Sequence, residues 1–185
     1  MRQAPHARDP RRRRTREALQ CAFTLLAMEH RYHEIRIDDI LKASGVGRST
    51  FYEHFASKDA LLAASMDDAL TLLAEMATGK TSTRQVADLL EHFWEHRALA
   101  PSLFQGTALR VVRHTLVAQI EARLRRAGSK LRLPSRLAAH ALADGMFSPI
   151  LAWLSGEAWC DPPDLAAALR ASSQAMLGGM AAAAD

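Results

Sequence analysis

The run Ile37-Asp38-Asp39-Ile40-Leu41-Lys42-Ala43-Ser44-Gly45-Val46-Gly47-Arg48-Ser49-Thr50-Phe51-Tyr52-Glu53-His54-Phe55 encodes two short helices and the turn between them. In the first, Ile37, Ile40 and Leu41 recur at helical spacing and form an inward face. Asp38 and Asp39 lie in its first turn, at the favourable positive end of the helix dipole. Gly45 stops it, because glycine takes the left-handed conformation that ends a helix. Gly47 is a permissible N-cap for the second helix, from about Arg48 to His54. There Phe51 and Phe55 are i, i+4 partners facing the core, Ser49 and Glu53 point away, and Thr50 and Tyr52 lie to the sides. Val46 plugs the space between the two helices. The pattern is a helix-turn-helix, and it leaves the start of the second helix free to enter a major groove.

Working outward, Ala18, Cys21, Ala22 and Leu25 repeat at helical steps from Arg11 onward, predicting a first helix to about His30 with Cys21 on its inner face. Ser57 caps a longer helix through Lys58, Leu61, Leu62 and Met66 to about Met76, which the stretch around Gly79 breaks. Further helices are expected at about 83–98, 106–127, 135–155 and 163–179, with a short helical piece near Ser102. Pro101, Gly128, Pro134, Gly156 and the Pro162-Pro163 pair mark the joints. The sequence contains no convincing strand. The expected fold is all-α, with an N-terminal three-helix head over 11–56, a disordered basic arm before it over 1–10, and a helical body over 57–185 that the helix 57–77 connects to the head.

Composition agrees with that outline. Of 185 residues, 49% are hydrophobic and 24% charged, enough to bury a core, and the 6% of aromatics beside abundant Ala and Leu favours helix. The net charge is +4, and residues 1–60 supply all of it, with 12 Lys/Arg against 8 Asp/Glu. That asymmetry points to a nucleic-acid or acidic-surface partner for the first third, or else to a solvated basic leader; Arg11, Arg12, Arg13 and Arg14 can follow phosphates or a minor groove. Two cysteines, Cys21 and Cys160, cannot build a disulfide scaffold. No uninterrupted apolar stretch approaches the ~18 residues of a membrane span, and the arginine-rich start is unlike a signal peptide. A soluble, cytoplasmic protein without a membrane partner is expected.

The string from Ile37 to Leu62, with Lys42-Ala43-Ser44-Gly45-Val46 and Ser49-Thr50-Phe51-Tyr52-Glu53-His54-Phe55-Ala56-Ser57-Lys58-Asp59-Ala60-Leu61-Leu62, resembles the TetR/AcrR family of bacterial transcriptional regulators. The resemblance reaches back through Cys21-Ala22 and Leu25-Leu26; the segment from Ala138 to Leu177 looks like the family's last two helices. It implies a homodimeric, non-enzymatic regulator, typically a repressor, with a DNA-binding head and a C-terminal effector-binding and dimerisation body. Carried over by position, Arg48, Ser49 and Thr50 open the recognition helix, Tyr52 and His54 lie along it, and Lys58 matches a phosphate-contacting lysine. Arg36 stands where the family often has a capping threonine, Gly47 replaces a serine, and Arg31 a glycine. The implied dimer interface uses Leu142, Met146, Ile150, Trp153 and Leu154 with Leu165, Leu169 and Met176, since the helix from about 137 to 154 is apolar nearly all round.

Other features have two readings. Trp94, His96, Arg97, Phe104 and Arg113 are candidate effector-pocket residues, because a charge on an apolar helical face needs a partner or a ligand. Against this, Arg113 can pair internally with Asp144, and Trp94 and Phe104 can be core. His92-Phe93-Trp94-Glu95-His96 matches the H-x-x-E-H pattern of an inverted zinc peptidase, yet a peptidase needs a third ligand, a cleft and a larger body. No catalytic residue, cofactor or resident metal is expected, while metal binding by the histidine pair stays open. The rival classes are a small metal-binding helical protein or enzyme built on that pair, and a ligand-independent DNA-binding protein.

Overall fold

A computed structural model describes residues 10–97 and 105–182; the basic arm over 1–9, the helical piece near Ser102 and Phe104 lie outside them. Among the described residues there are nine helices and no strand beyond one isolated bridge between Leu131 and Ala181. They are α1 Pro10–Glu29, α2 Ile37–Ser44, α3 Arg48–His54, α4 Lys58–Ser65, α5 Asp67–Ala77, α6 Thr83–Glu95, α7 Gly106–Arg126, α8 Ser135–Leu154 and α9 Pro162–Met180.

The turn chemistry of the head follows the sequence. Gly45 has φ 68°, the left-handed conformation that closes α2, and its N–H donates to the Leu41 carbonyl. Gly47 is the N-cap of α3, Phe51 and Phe55 are buried, and Ser57 Oγ accepts from the Ala60 N–H at 3.1 Å. One face is rotated from the expected stripe. Along α1 the buried residues are Leu19, Ala22, Phe23 and Ala27, whereas Cys21 is exposed and Leu25 is 57% exposed. Apolar side chains line several sides of this helix, and the bulkiest, Phe23, takes the core, meeting Tyr32 edge-on at 6.2 Å.

The connecting helix is divided where one continuous element was expected over 57–77. Met66, with φ −98° and ψ 1°, separates α4 from α5. Three side-chain hydrogen bonds flank the joint. Gln20 Nε2, from α1, donates to the Ala64 carbonyl at 2.8 Å, and Ser65 Oγ donates back to the Leu61 carbonyl at 3.0 Å. Just past the break, Asp67 Oδ1 accepts from Gln119 Nε2 of α7 at 2.9 Å. Polar groups inserted beside a helical ladder are a recognised cause of kinks.

In the body, α7 packs on α8, α9 packs on α6 and α8, and α5 packs on α7. By length and composition alone α8 could cross a bilayer, with mean hydropathy 1.3, but here it is a core helix. One side of it is covered by neighbours within the chain, while Leu137 is exposed and Ala141, Leu151 and Ala152 are half-buried. Leu142, Met146, Ile150, Trp153 and Leu154 are buried in the single subunit, as are Leu165 and Leu169 of α9, and Met176 is half-buried. The buried ones among them pack within the subunit, and Met176 keeps part of its surface open. The Trp153 indole N–H donates to the Cys160 carbonyl at 2.9 Å, a bond made inside the fold.

Two substitutions on α1 test its rotated face. Phe23→Ala should lower the unfolding free energy by about 3–5 kcal/mol, as truncation of a buried aromatic does. Cys21→Ala should change it by less than ~0.5 kcal/mol. Urea denaturation followed by circular dichroism measures both, and the reverse ranking would restore the stripe read from sequence.

Candidate functional site

The outer face of the helix-turn-helix carries Arg48, Ser49 and Tyr52, all exposed, with Thr50 and His54 half-buried beside them. Phe51 fixes this orientation because its ring is wholly buried, and Tyr52 stands edge-on to it at 5.3 Å. Arg48 is ion-paired to Asp38 in the first turn of α2, and both side chains are largely exposed. An exposed pair of this kind contributes at most about 1 kcal/mol, so the guanidinium can exchange Asp38 for a phosphate or a base edge at small cost. Arg36 is the N-cap of α2, and its backbone N–H donates to Asp39 Oδ2 at 2.9 Å. Its side chain is left exposed at the edge of the same face.

Lys58 has a different position from a free phosphate ligand. Its Nζ donates to the carbonyls of Tyr32 at 2.6 Å and Ile35 at 2.7 Å, and it lies 4.3 Å from the centre of the Tyr32 ring. Two of its three N–H groups are thus spent on the loop between α1 and α2, and one is left. Burial lowers the Lys58 pKa from the ordinary lysine value, with the Asp59 carboxylate acting in the opposite sense. The Tyr32 hydroxyl donates to Asp59, and burial, that hydrogen bond and the Asp59 charge together raise its pKa. Lys58, Tyr32 and Asp59 form a staple between the head's first loop and α4. Sequence reading missed Tyr32 and Asp59 because neither lies on a helical apolar stripe or in the recognition helix.

A cavity of about 460 Å³ opens where head meets body, bounded by Phe23 and Met28 of α1, Met66 at the break, and His92 and His96 of α6, with Arg97 just beyond. His96 and Arg97 line it as the sequence suggested. Trp94 instead packs against Trp153 at 4.9 Å and Trp159 at 4.4 Å. The Arg97 guanidinium lies 4.4 Å from the centre of the Trp94 ring, and it donates to the Trp94 carbonyl at 3.0 Å. Arg113 is held elsewhere. Its Nε and Nη2 each donate to an Asp144 carboxylate oxygen at 2.5 Å, so its charge is answered within the chain. The four described candidates, Trp94, His96, Arg97 and Arg113, do not line one cavity. Arg113 faces a second, wider cavity, which it shares with Asp144 and Arg97.

Comparisons with known proteins bear on this geometry. The family model for bacterial regulatory proteins of the tetR family matches residues 25–65, which take in the helix-turn-helix and all of α4. An uncharacterized HTH-type transcriptional regulator of Bacillus subtilis (strain 168), YxbF, is 52% identical over 50 residues, 26% of this chain and 13% of that protein. Over this stretch the helix-turn-helix head is of the tetR type. Beyond the head, the likeness is one of fold. A TetR transcriptional regulator from Streptococcus agalactiae 2603V superposes with TM-score 0.56 and 24% identity, covering 88% of this chain and 95% of that one. Thermus thermophilus FadR, a TetR-family transcriptional repressor solved with lauroyl-CoA, gives TM-score 0.53 and 20% identity over 92% and 97% of the two chains. In the part that the family model matches, α3 carries the exposed face of the helix-turn-helix, and α4 and α5 lead from it into the body.

Two measurements test the local assignments. Lys58→Met leaves two carbonyls without their donor and should cost about 1–3 kcal/mol in urea unfolding, whereas Arg48→Ala should cost less than ~1 kcal/mol. For the body pair, Arg113 hydrogen bonding lowers the Asp144 pKa below the usual carboxylate value. A carboxylate depressed in the folded state stabilises above its unfolded pKa and loses that contribution as pH falls through the folded one. The stability difference between wild type and Asp144→Asn should therefore shrink as pH is lowered from about 6 to below the usual carboxylate range, near 4. A difference that grows on acidification would contradict the pairing.

Proposed function

We propose that this protein is a cytoplasmic, ligand-responsive transcriptional repressor that binds operator DNA as a homodimer and leaves it when a small-molecule effector occupies the body. The observation that carries the reading is the exposed face of α3, with Arg48, Ser49 and Tyr52 outward over the buried Phe51. Basic residues Arg11 to Arg14, exposed along the start of α1, supply nonspecific phosphate attraction nearby. The last N–H of Lys58, together with the side chain of Arg36, serves the backbone beside the recognition helix.

The effector acts through the joint at Met66. The cavity there touches α1, the break and α6 at once, so a ligand that fits only one arrangement of these elements changes the angle of the head. Only such differential affinity shifts the equilibrium. The existence of a solved relative in fold that holds lauroyl-CoA supports a body of this type accommodating a ligand. Dimerisation falls to the faces left open once the core is accounted for. These are the outer side of α8, with Ala141, Ser148 and Ala152, and that of α9, with Ala167, Ala168 and Ala171. Small side chains there allow the two helices and their symmetry mates to approach closely.

Selection of duplexes from a random pool by the full chain should yield a two-fold symmetric site. Affinity for it should fall steeply between low and physiological salt. Against single-base variants of that site, Arg48→Ala should relax preference at one position per half-site by ~1–3 kcal/mol, and Lys58→Met should weaken all variants alike. Enrichment of no sequence would contradict the function. For the dimer, Ala168→Arg should give folded monomers with weakened operator binding in sedimentation and circular dichroism, while Trp153→Glu should disrupt the fold itself. A fully dimeric Ala168→Arg would move the interface.

A further inference from the structure

The last turn of α6 carries three metal-capable side chains side by side. His92, Glu95 and His96 each offer one ligand atom, and the three atoms lie within 4.8 Å of one another. Spacing of four residues brings the two imidazoles onto one side of the helix, with ring centres 4.3 Å apart. His96 is already oriented. Its Nδ1 lies 2.9 Å from the His92 carbonyl oxygen. A carbonyl only accepts, so Nδ1 carries the proton and Nε2 keeps its lone pair outward. That carbonyl bond fixes the ring and the tautomer, as outer-sphere partners do for metal-ligating histidines. The neighbouring cation is drawn aside, because Arg97 lies over the Trp94 ring and donates to the Trp94 carbonyl.

We propose that His92, Glu95 and His96 form a binding site for a divalent transition-metal ion of the Zn²⁺ class at the junction of head and body. Two imidazole nitrogens and one carboxylate oxygen occupy three tetrahedral corners, and water or a ligand donor takes the fourth. The nitrogen-rich set selects Zn²⁺, Co²⁺, Ni²⁺ or Cu²⁺ over Ca²⁺ and Mg²⁺, which require more oxygens. Here Glu95 serves as a ligand and not as a base, so no hydrolysis is implied. His92 and His96 also line the cavity that Phe23 and Met28 of α1 share with Met66. A metal that locks the end of α6 therefore alters the wall against which the head rests. This regulatory consequence rests on the repressor reading above; the binding site itself does not.

The test uses the full chain, freed of metal by chelator, with Zn²⁺ titrated against a chromophoric indicator and Co²⁺ spectra reporting coordination. Wild type should bind one Zn²⁺ per chain. His92→Ala and His96→Ala should each weaken binding about tenfold or more, and His114→Ala, away from the cluster, should match wild type. Absence of stoichiometric binding, or His92→Ala and His96→Ala variants that bind like wild type while retaining helical circular dichroism, would overturn the site. Zn²⁺ should also change affinity for the selected duplex about tenfold in wild type and not in His96→Ala. Zn²⁺ bound at this cluster with no change in duplex affinity keeps the site and overturns its link to DNA.

Discussion

The chain changes direction at Met66, between α4 and α5, and amide side chains hold that joint from both directions. Gln20 reaches it from the head through the Ala64 carbonyl, and Gln119 reaches it from the body through Asp67. Gln119 also accepts from the Thr71 hydroxyl at 3.2 Å, which ties the first turns of α5 to α7. Each of these is a neutral or singly charged hydrogen bond of modest net strength, roughly 1 kcal/mol. A set of such bonds defines one arrangement without preventing another. Core packing fixes the break as well, because α4 also packs directly on α7 and Leu61 and Leu62 are wholly buried.

The head is held internally too. Lys58 closes the loop between α1 and α2 from the start of α4, and Tyr32 is buried beneath it. Phe51 and Phe55 fix α3 from within, and the Arg16 guanidinium lies 4.6 Å from the centre of the Phe55 ring. The recognition surface is consequently carried as one rigid piece by whatever moves α4. In the dimeric regulator proposed above, a rigid head of this kind would let a change of angle alter the spacing of two heads without altering what each head reads.

The sequence was most legible where backbone geometry demands a particular residue. Gly45 with its positive φ, Gly47 and Ser57 as caps, and the buried i, i+4 pair Phe51 and Phe55 stand as their residue types imply. Helix ends in the body came within a few residues for the same reason, since proline and glycine punctuate them. What could not be read was which side of an apolar helix turns inward. Helix α1 has apolar residues on several sides, and side-chain volume chose Phe23 over Cys21. Helix α8 is apolar nearly all round, and periodicity alone cannot say whether its second cover is α7 and α9 or another subunit. The site shows the same limit: the Arg113–Asp144 pair was one of two alternatives, and Gln20, Tyr32 and Asp59 act through contacts 27 to 44 residues distant in sequence.

That distinction bears on the two arginines first suspected of serving a ligand. A charge on an apolar face signals only that some partner exists. For Arg113 the partner is a bidentate carboxylate, which takes two of its five N–H donors and answers its charge within the chain. For Arg97 the partners are a π face and one carbonyl, which leave most of its five N–H donors uncommitted. Both arginines border the wide cavity shared with Asp144, and Arg97 also borders the cavity at the joint, where α1, Met66 and the histidine pair converge just at and past the end of α6.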